Sequence, residues 1–120
     1  MTAAAVSAVR DTSVSRSEAA RAGRAALTEL PGFVSGDALA SAVLTAAAPN
    51  RMAVYDHRAH TALRSLGVTL THSQGRYSRY LHAIDHLLAH APDPARTWTP
   101  REMDTALYYL PLTSRTLPGT

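Results

Sequence analysis

Apolar residues recur with the period of an α-helix along most of this chain, and stretches that alternate between apolar and polar residues are nearly absent. Ser15-Arg16-Ser17-Glu18 has the spacing of a capping box and predicts a helix that runs to about Leu30, where Pro31-Gly32 ends it. The clearest start signal is Thr99-Pro100-Arg101-Glu102, which predicts a last helix that ends before Pro111.

Three further helices are predicted between these two, at about 36–48, 57–66 and 76–91. The first carries a stripe of apolar residues at helical spacing, namely Leu39, Ala42, Val43 and Ala46. Gly67 follows the second helix and is predicted to end it with a left-handed backbone conformation. The third has a broad apolar face that includes Tyr77, Tyr80, Leu81, Ile84, Leu87 and Leu88. The fold class predicted is all-α, a compact bundle of about five helices.

The domain organisation follows from length and periodicity. A chain of 120 residues holds one domain of useful size. Residues 1–14 show no period and are predicted to be disordered, residues 15–111 to form a single helical domain, and residues 112–120 to be an irregular tail. No stretch approaches the length of a membrane span, and the first residues are too weakly apolar for a signal peptide. The expected location is cytoplasmic, with no membrane contact.

Residue usage excludes several kinds of chemistry. The chain has no cysteine, which excludes disulfides and thiolate sites, and all twelve basic residues are arginine, which excludes a Schiff-base lysine. The net charge of +3 permits contact with nucleic acid without requiring it. His82, His86 and His90 recur every four residues, but no acidic third ligand accompanies them, so an exposed histidine stripe is the interpretation. No metal and no cofactor are expected.

One stretch, from Leu30 to Gly67, resembles the core of the helix-hairpin-helix DNA glycosylase superfamily, in its 8-oxoguanine-glycosylase-like branch. A glycine-bearing turn leads into a helix of small residues, and a proline ends that helix. A short apolar run then precedes an aspartate at the start of the next helix. The matching residues are Gly36, Ala40, Ser41, Ala42, Leu44, Pro49, Met52, Val54, Tyr55, Asp56, Arg58, Ala59, Ala62 and Leu63.

The resemblance implies that Asp56 is the catalytic carboxylate, which would stabilise a developing sugar cation while a base is flipped out of the duplex. From the residues alone, Asp56 is also a natural N-cap of the helix that follows it. The resemblance further implies a helix-hairpin-helix-like core. Its turn would offer Gly32, Ser35 and Gly36 to a DNA phosphate. His57, Arg58 and Arg64 are further candidates for DNA binding from their own positions, and scattered arginines are also typical of a solvated face. The position of the family's lyase lysine falls on Ala38, so any excision would be monofunctional.

About fifteen ordered residues precede the hairpin, so most of the family's N-terminal subdomain is expected to be absent. Three functions therefore stay open. The chain is a minimal DNA glycosylase that acts through Asp56, a DNA-binding module without turnover, or a helical interaction protein. In the last case a protein partner or a second copy of the chain would replace the missing subdomain.

Overall fold

The computed structural model describes residues 3–30, 36–71 and 75–110. These residues form six α-helices and one 3-10 turn, and none of them forms a β-strand, which confirms the all-α prediction. The helices are α1 (Ala3–Arg10), α2 (Arg16–Thr28), α3 (Asp37–Ala47), α4 (His57–Ser65), α5 (Arg76–His90) and α6 (Pro100–Tyr108), and the 3-10 turn is Ala95–Thr97. None of the described helices is long and apolar enough to span a membrane.

Side-chain caps fix the helix boundaries where the sequence predicts them. The Ser15 hydroxyl accepts a hydrogen bond from the Glu18 amide at the start of α2. Thr99 and Glu102 form a reciprocal capping box at the start of α6. Gly67 ends α4 with φ of 91°, a conformation that a residue with a Cβ rarely adopts, and the next amide, of Val68, binds the Leu63 carbonyl.

The prediction that residues 1–14 are disordered is wrong for Ala3–Arg10, which forms α1. Ala5 and Val9 are buried against α2, where a Cβ on Gly23 would lie 2.5 Å from a Val9 methyl carbon. The absence of a side chain at Gly23 thus lets α1 approach closely. The helical domain therefore includes α1, while Pro111 and the predicted tail 112–120 lie outside the described residues.

Most of the apolar stripe predicted on α3 faces outward, while its Val43 is partly buried against the core. Leu39 is 55% exposed, and Ala42 and Ala46 are exposed as well. The opposite face is buried and carries two hydroxyl residues, Ser41 and Thr45, among its alanines and Leu44. An alanine-rich helix offers an apolar surface on several sides, so the pattern of apolar residues alone does not decide which face is inside.

The core forms around α2 and α5. Helix α2 packs against α1 and α5, while α6 packs against α4 and α5. Arginine side chains add links at the periphery: Arg10 donates to the Ala47 carbonyl at the end of α3, and Arg51 donates to carbonyls of the link between α1 and α2. The largest fully buried side chains are Tyr77, Tyr80, Leu27, Leu44, Met52, Leu63, Leu81, Ile84 and Val9.

Candidate functional site

Between α3 and α4 the chain passes through the core as an irregular segment, Met52–Asp56. Met52 and Ala53 are fully buried, and Tyr55 is 5% exposed. The segment has no neighbouring strand to bind its amides and carbonyls, and a buried backbone group without a partner costs about 1–3 kcal/mol. Side chains of the surrounding helices must therefore bind these groups.

Two tyrosines of α5 bind carbonyls of the segment. The Tyr77 hydroxyl donates to the Ala53 carbonyl at 2.8 Å, and the Tyr80 hydroxyl donates to the Val54 carbonyl at 2.8 Å. Burial raises the pKa of both phenols, so they remain donors across the physiological range. The Tyr80 ring also packs edge-on against Tyr55, with ring centroids 5.0 Å apart.

Acceptors from two other helices bind the amides. The Tyr55 amide donates to the Ser41 hydroxyl of α3 at 2.8 Å, and the same hydroxyl lies 3.1 Å from the Tyr55 carbonyl. The Val54 amide donates to the carboxylate of Asp104, on α6, at 2.7 Å. Side chains from α3, α5 and α6 thus hold three consecutive residues immediately before Asp56.

Asp104 is a buried acid with an unusual electrostatic environment. Its side chain is 4% exposed and contacts the Arg101 guanidinium through its second oxygen. Burial raises the pKa of Asp104 to about 6, and the nearby Asp56 charge adds to that rise, against the lowering effects of the Val54 amide and Arg101. The burial of the Asp104 carboxylate therefore costs desolvation free energy, while it provides the acceptor for the Val54 amide.

Asp56 emerges from the segment as the N-cap of α4. One carboxylate oxygen accepts a hydrogen bond from the Ala59 amide at 2.8 Å, which establishes the capping role. Among the described residues no group donates to the other oxygen, and the residue is only partly buried. The carboxylate is therefore positioned by the cap and still able to face a ligand.

The other DNA-binding residues predicted on α4 are exposed. His57, Arg58 and Arg64 all lie at the surface. Arg58 is already engaged, because its Nε donates to the Tyr108 carbonyl at 2.8 Å and its guanidinium lies 4.7 Å from the centre of the Tyr108 ring. This contact joins the start of α4 to the end of α6.

Two tyrosines that were not among the predicted site residues, Tyr108 and Tyr109, lie at this contact. Tyr108 and Tyr109 are 45% and 73% exposed, and their rings meet edge to face with centroids 5.2 Å apart. A signal was present in the sequence, since Leu107 occupies the inward position of α6 and two aromatic residues directly after it cannot both follow it into the core.

The predicted hairpin is only partly described. Gly32 and Ser35 lie outside the described residues, whereas Gly36 is the N-cap of α3. Asp37 follows it, and its two oxygens bind Arg24 at 2.8 Å and Arg76 at 3.0 Å. A carboxylate paired with two arginines thus already occupies the first turn of α3, where a phosphate would compete with it.

The histidine stripe on α5 is exposed, and the His86 and His90 rings lie 4.3 Å apart between centroids. Within the described ranges no three histidine, cysteine or acidic side chains come together as a metal site. These histidines lie on α5, whereas Asp56 caps α4.

No protein-family model, curated protein or solved structure matches this chain.

The raised pKa of Asp104 predicts a specific dependence of stability on pH. Between the ordinary carboxyl pKa of about 4 and the folded value of about 6, the folded protein binds more protons at Asp104 than the unfolded chain does. The contribution of Asp104 to the free energy of unfolding therefore falls by about 2–3 kcal/mol as the pH rises through this range, and stays low above it.

The variant Asp104→Asn should lose this dependence, because its amide oxygen still accepts from the Val54 amide but does not titrate. Urea unfolding of both proteins at pH 4.5 and 7.0 gives the comparison, and the difference between the proteins removes the contribution of the histidines. An identical change with pH in both proteins would contradict the assignment.

Proposed function

We propose that this chain binds duplex DNA along the edge formed by the start of α4 and the end of α6. The observation that carries the proposal is the contact between Arg58 and Tyr108, which brings together a guanidinium and two exposed tyrosine rings at the start of α4, the helix that Asp56 caps. Guanidinium groups bind phosphates, and exposed aromatic rings stack on bases. The resemblance to DNA glycosylases over Leu30–Gly67 supports the same partner.

The reaction that this edge suits is hydrolysis of the bond between a base and its sugar. In that step water bonds to C1′ of the sugar and loses a proton, the C1′–N bond breaks, and the base leaves with the bonding electrons and takes up a proton from solvent. A carboxylate held on a rigid backbone lowers the energy of the positive charge that develops on the sugar. Asp56 would supply that carboxylate. The product would be an intact abasic site, since the chain has no lysine for strand cleavage.

The second candidate function is protein interaction, and the outward face of α3 favours it. Leu39, Ala42 and Ala46 place apolar surface in solvent on one side of a single helix. Such a surface suits a partner helix or a second copy of the chain. This interaction is compatible with DNA binding, because α3 and the Arg58–Tyr108 contact lie on different elements of the fold.

DNA binding is tested with arginine variants. The wild-type protein should bind a short duplex weakly and with strong salt dependence, and Arg58→Ala, which removes the guanidinium of this edge, should weaken binding for every sequence and reduce the salt slope by about 1. Arg21→Ala is the matched control, because Arg21 is an equally exposed arginine on the outer face of α2. Fluorescence anisotropy from 20 to 200 mM salt measures both.

Two results would count against the DNA proposal. One is the absence of any shift at low salt with folded protein in large excess. The other is an equal loss of affinity in the Arg21 and Arg58 variants, which would indicate a general charge effect without a defined surface.

The excision step is tested with Asp56→Asn. The amide oxygen keeps the bond to the Ala59 amide, so the helix cap and the affinity for DNA should survive. Excision from duplexes that carry oxidised or deaminated bases should be lost, because a neutral amide cannot offset the developing sugar cation. Borohydride should trap no adduct beyond one formed by the N-terminal amine.

Excision that persists in the Asn variant would show that Asp56 is a cap alone. Excision absent from the wild-type protein on every duplex, with DNA binding intact, would reduce the proposed function to DNA binding without turnover.

A further inference from the structure

We propose that Asp104 is the positioning residue of the Asp56 site, because it fixes the α6 edge relative to the start of α4. This inference rests on the proposed function for its consequence in DNA binding, whereas its geometric part stands by itself. Asp104 accepts from the Val54 amide, two residues before Asp56, and is almost completely buried. No resemblance to a known family assigns this residue a role.

The Asp104 carboxylate connects α6 directly to the segment that leads to Asp56. On α6, Asp104 precedes Tyr108 by four residues, so both lie on the same side of the helix. Asp104 binds the backbone before Asp56, and the Tyr108 carbonyl binds Arg58 after it. These two bonds bracket Asp56 and set its position relative to the tyrosine rings.

The bond between Asp104 and the Val54 amide should contribute more to the position of Asp56 than the bond between Arg58 and the Tyr108 carbonyl. The Arg58–Tyr108 bond lies at the surface, where water competes for both groups, while the Asp104–Val54 bond is partly buried and its carboxylate is 4% exposed. Among the described side chains only Arg101 is bonded to Asp104, and it contacts the carboxylate oxygen that does not bind the Val54 amide. Asp104 therefore acts as a fixed acceptor, and removal of that acceptor should release the segment that carries Asp56.

The test compares Asp104→Ala, which removes the acceptor, with Asp104→Asn, which keeps it. The readouts are the exchange rate of the Ala59 amide, which reports the Asp56 cap, and the affinity for a short duplex. In Asp104→Ala we expect Ala59 exchange to be at least tenfold faster and DNA affinity about tenfold lower. In Asp104→Asn we expect both to stay within threefold of wild type. The amide of Ala20, in α2, should keep its wild-type rate in both variants.

A second pair of variants covers the case in which Asp104→Ala does not fold. Arg101→Ala frees the carboxylate from its brace without removing the acceptor, and should accelerate Ala59 exchange severalfold. Arg96→Ala, an exposed arginine outside α6, should leave that rate unchanged.

The outcomes separate the two proposals. An unchanged Ala59 rate in Asp104→Ala overturns the positioning role, as does equal acceleration of Ala20 and Ala59, since that would indicate general destabilisation. An Ala59 rate in Arg101→Ala equal to that in Arg96→Ala also counts against it. Wild-type protein that binds no DNA, together with selective acceleration at Ala59, supports the positioning role and refutes the proposed function.

Discussion

The structure depends on how an all-helical protein accommodates a buried stretch of chain that is not helical. Helices satisfy their own backbone groups, whereas buried groups of the irregular segment Met52–Asp56, such as the Val54 and Tyr55 amides, bind side chains of other elements. A serine of α3, two tyrosines of α5 and an aspartate of α6 supply them. The segment thereby connects α3, α5 and α6 through hydrogen bonds, and the arrangement is specific because each bond has a defined donor and acceptor.

This constraint explains why polar residues lie in the core and why Asp56 is well positioned. Ser41, Tyr77, Tyr80 and Asp104 are buried because each binds the segment, and a hydrophobic residue at any of these places would leave a backbone group unpaired. Since the backbone before Asp56 is held at three successive residues, its carboxylate projects from a rigid base. Rigidity of this kind is what a binding or catalytic carboxylate requires.

Local signals in the sequence were sufficient for five of the helices and for the Asp56 cap, because caps and turns act between residues a few positions apart. They failed for α1, whose burial depends on close approach to Gly23 in another helix, and for the buried face of α3, where Ser41 is polar yet inside. The role of Asp104 could not be predicted either, since its partner lies fifty residues away in the chain. Long-range pairing leaves no periodic trace in a single sequence.

Amide hydrogen exchange in the wild-type protein tests the central claim, that Met52–Asp56 is held as firmly as the helical core. We expect the amides of Val54 and Tyr55, bound by Asp104 and Ser41, to exchange as slowly as the Leu81 amide within α5. Exchange of Val54 and Tyr55 as fast as that of Thr69, in the exposed loop after α4, would contradict it.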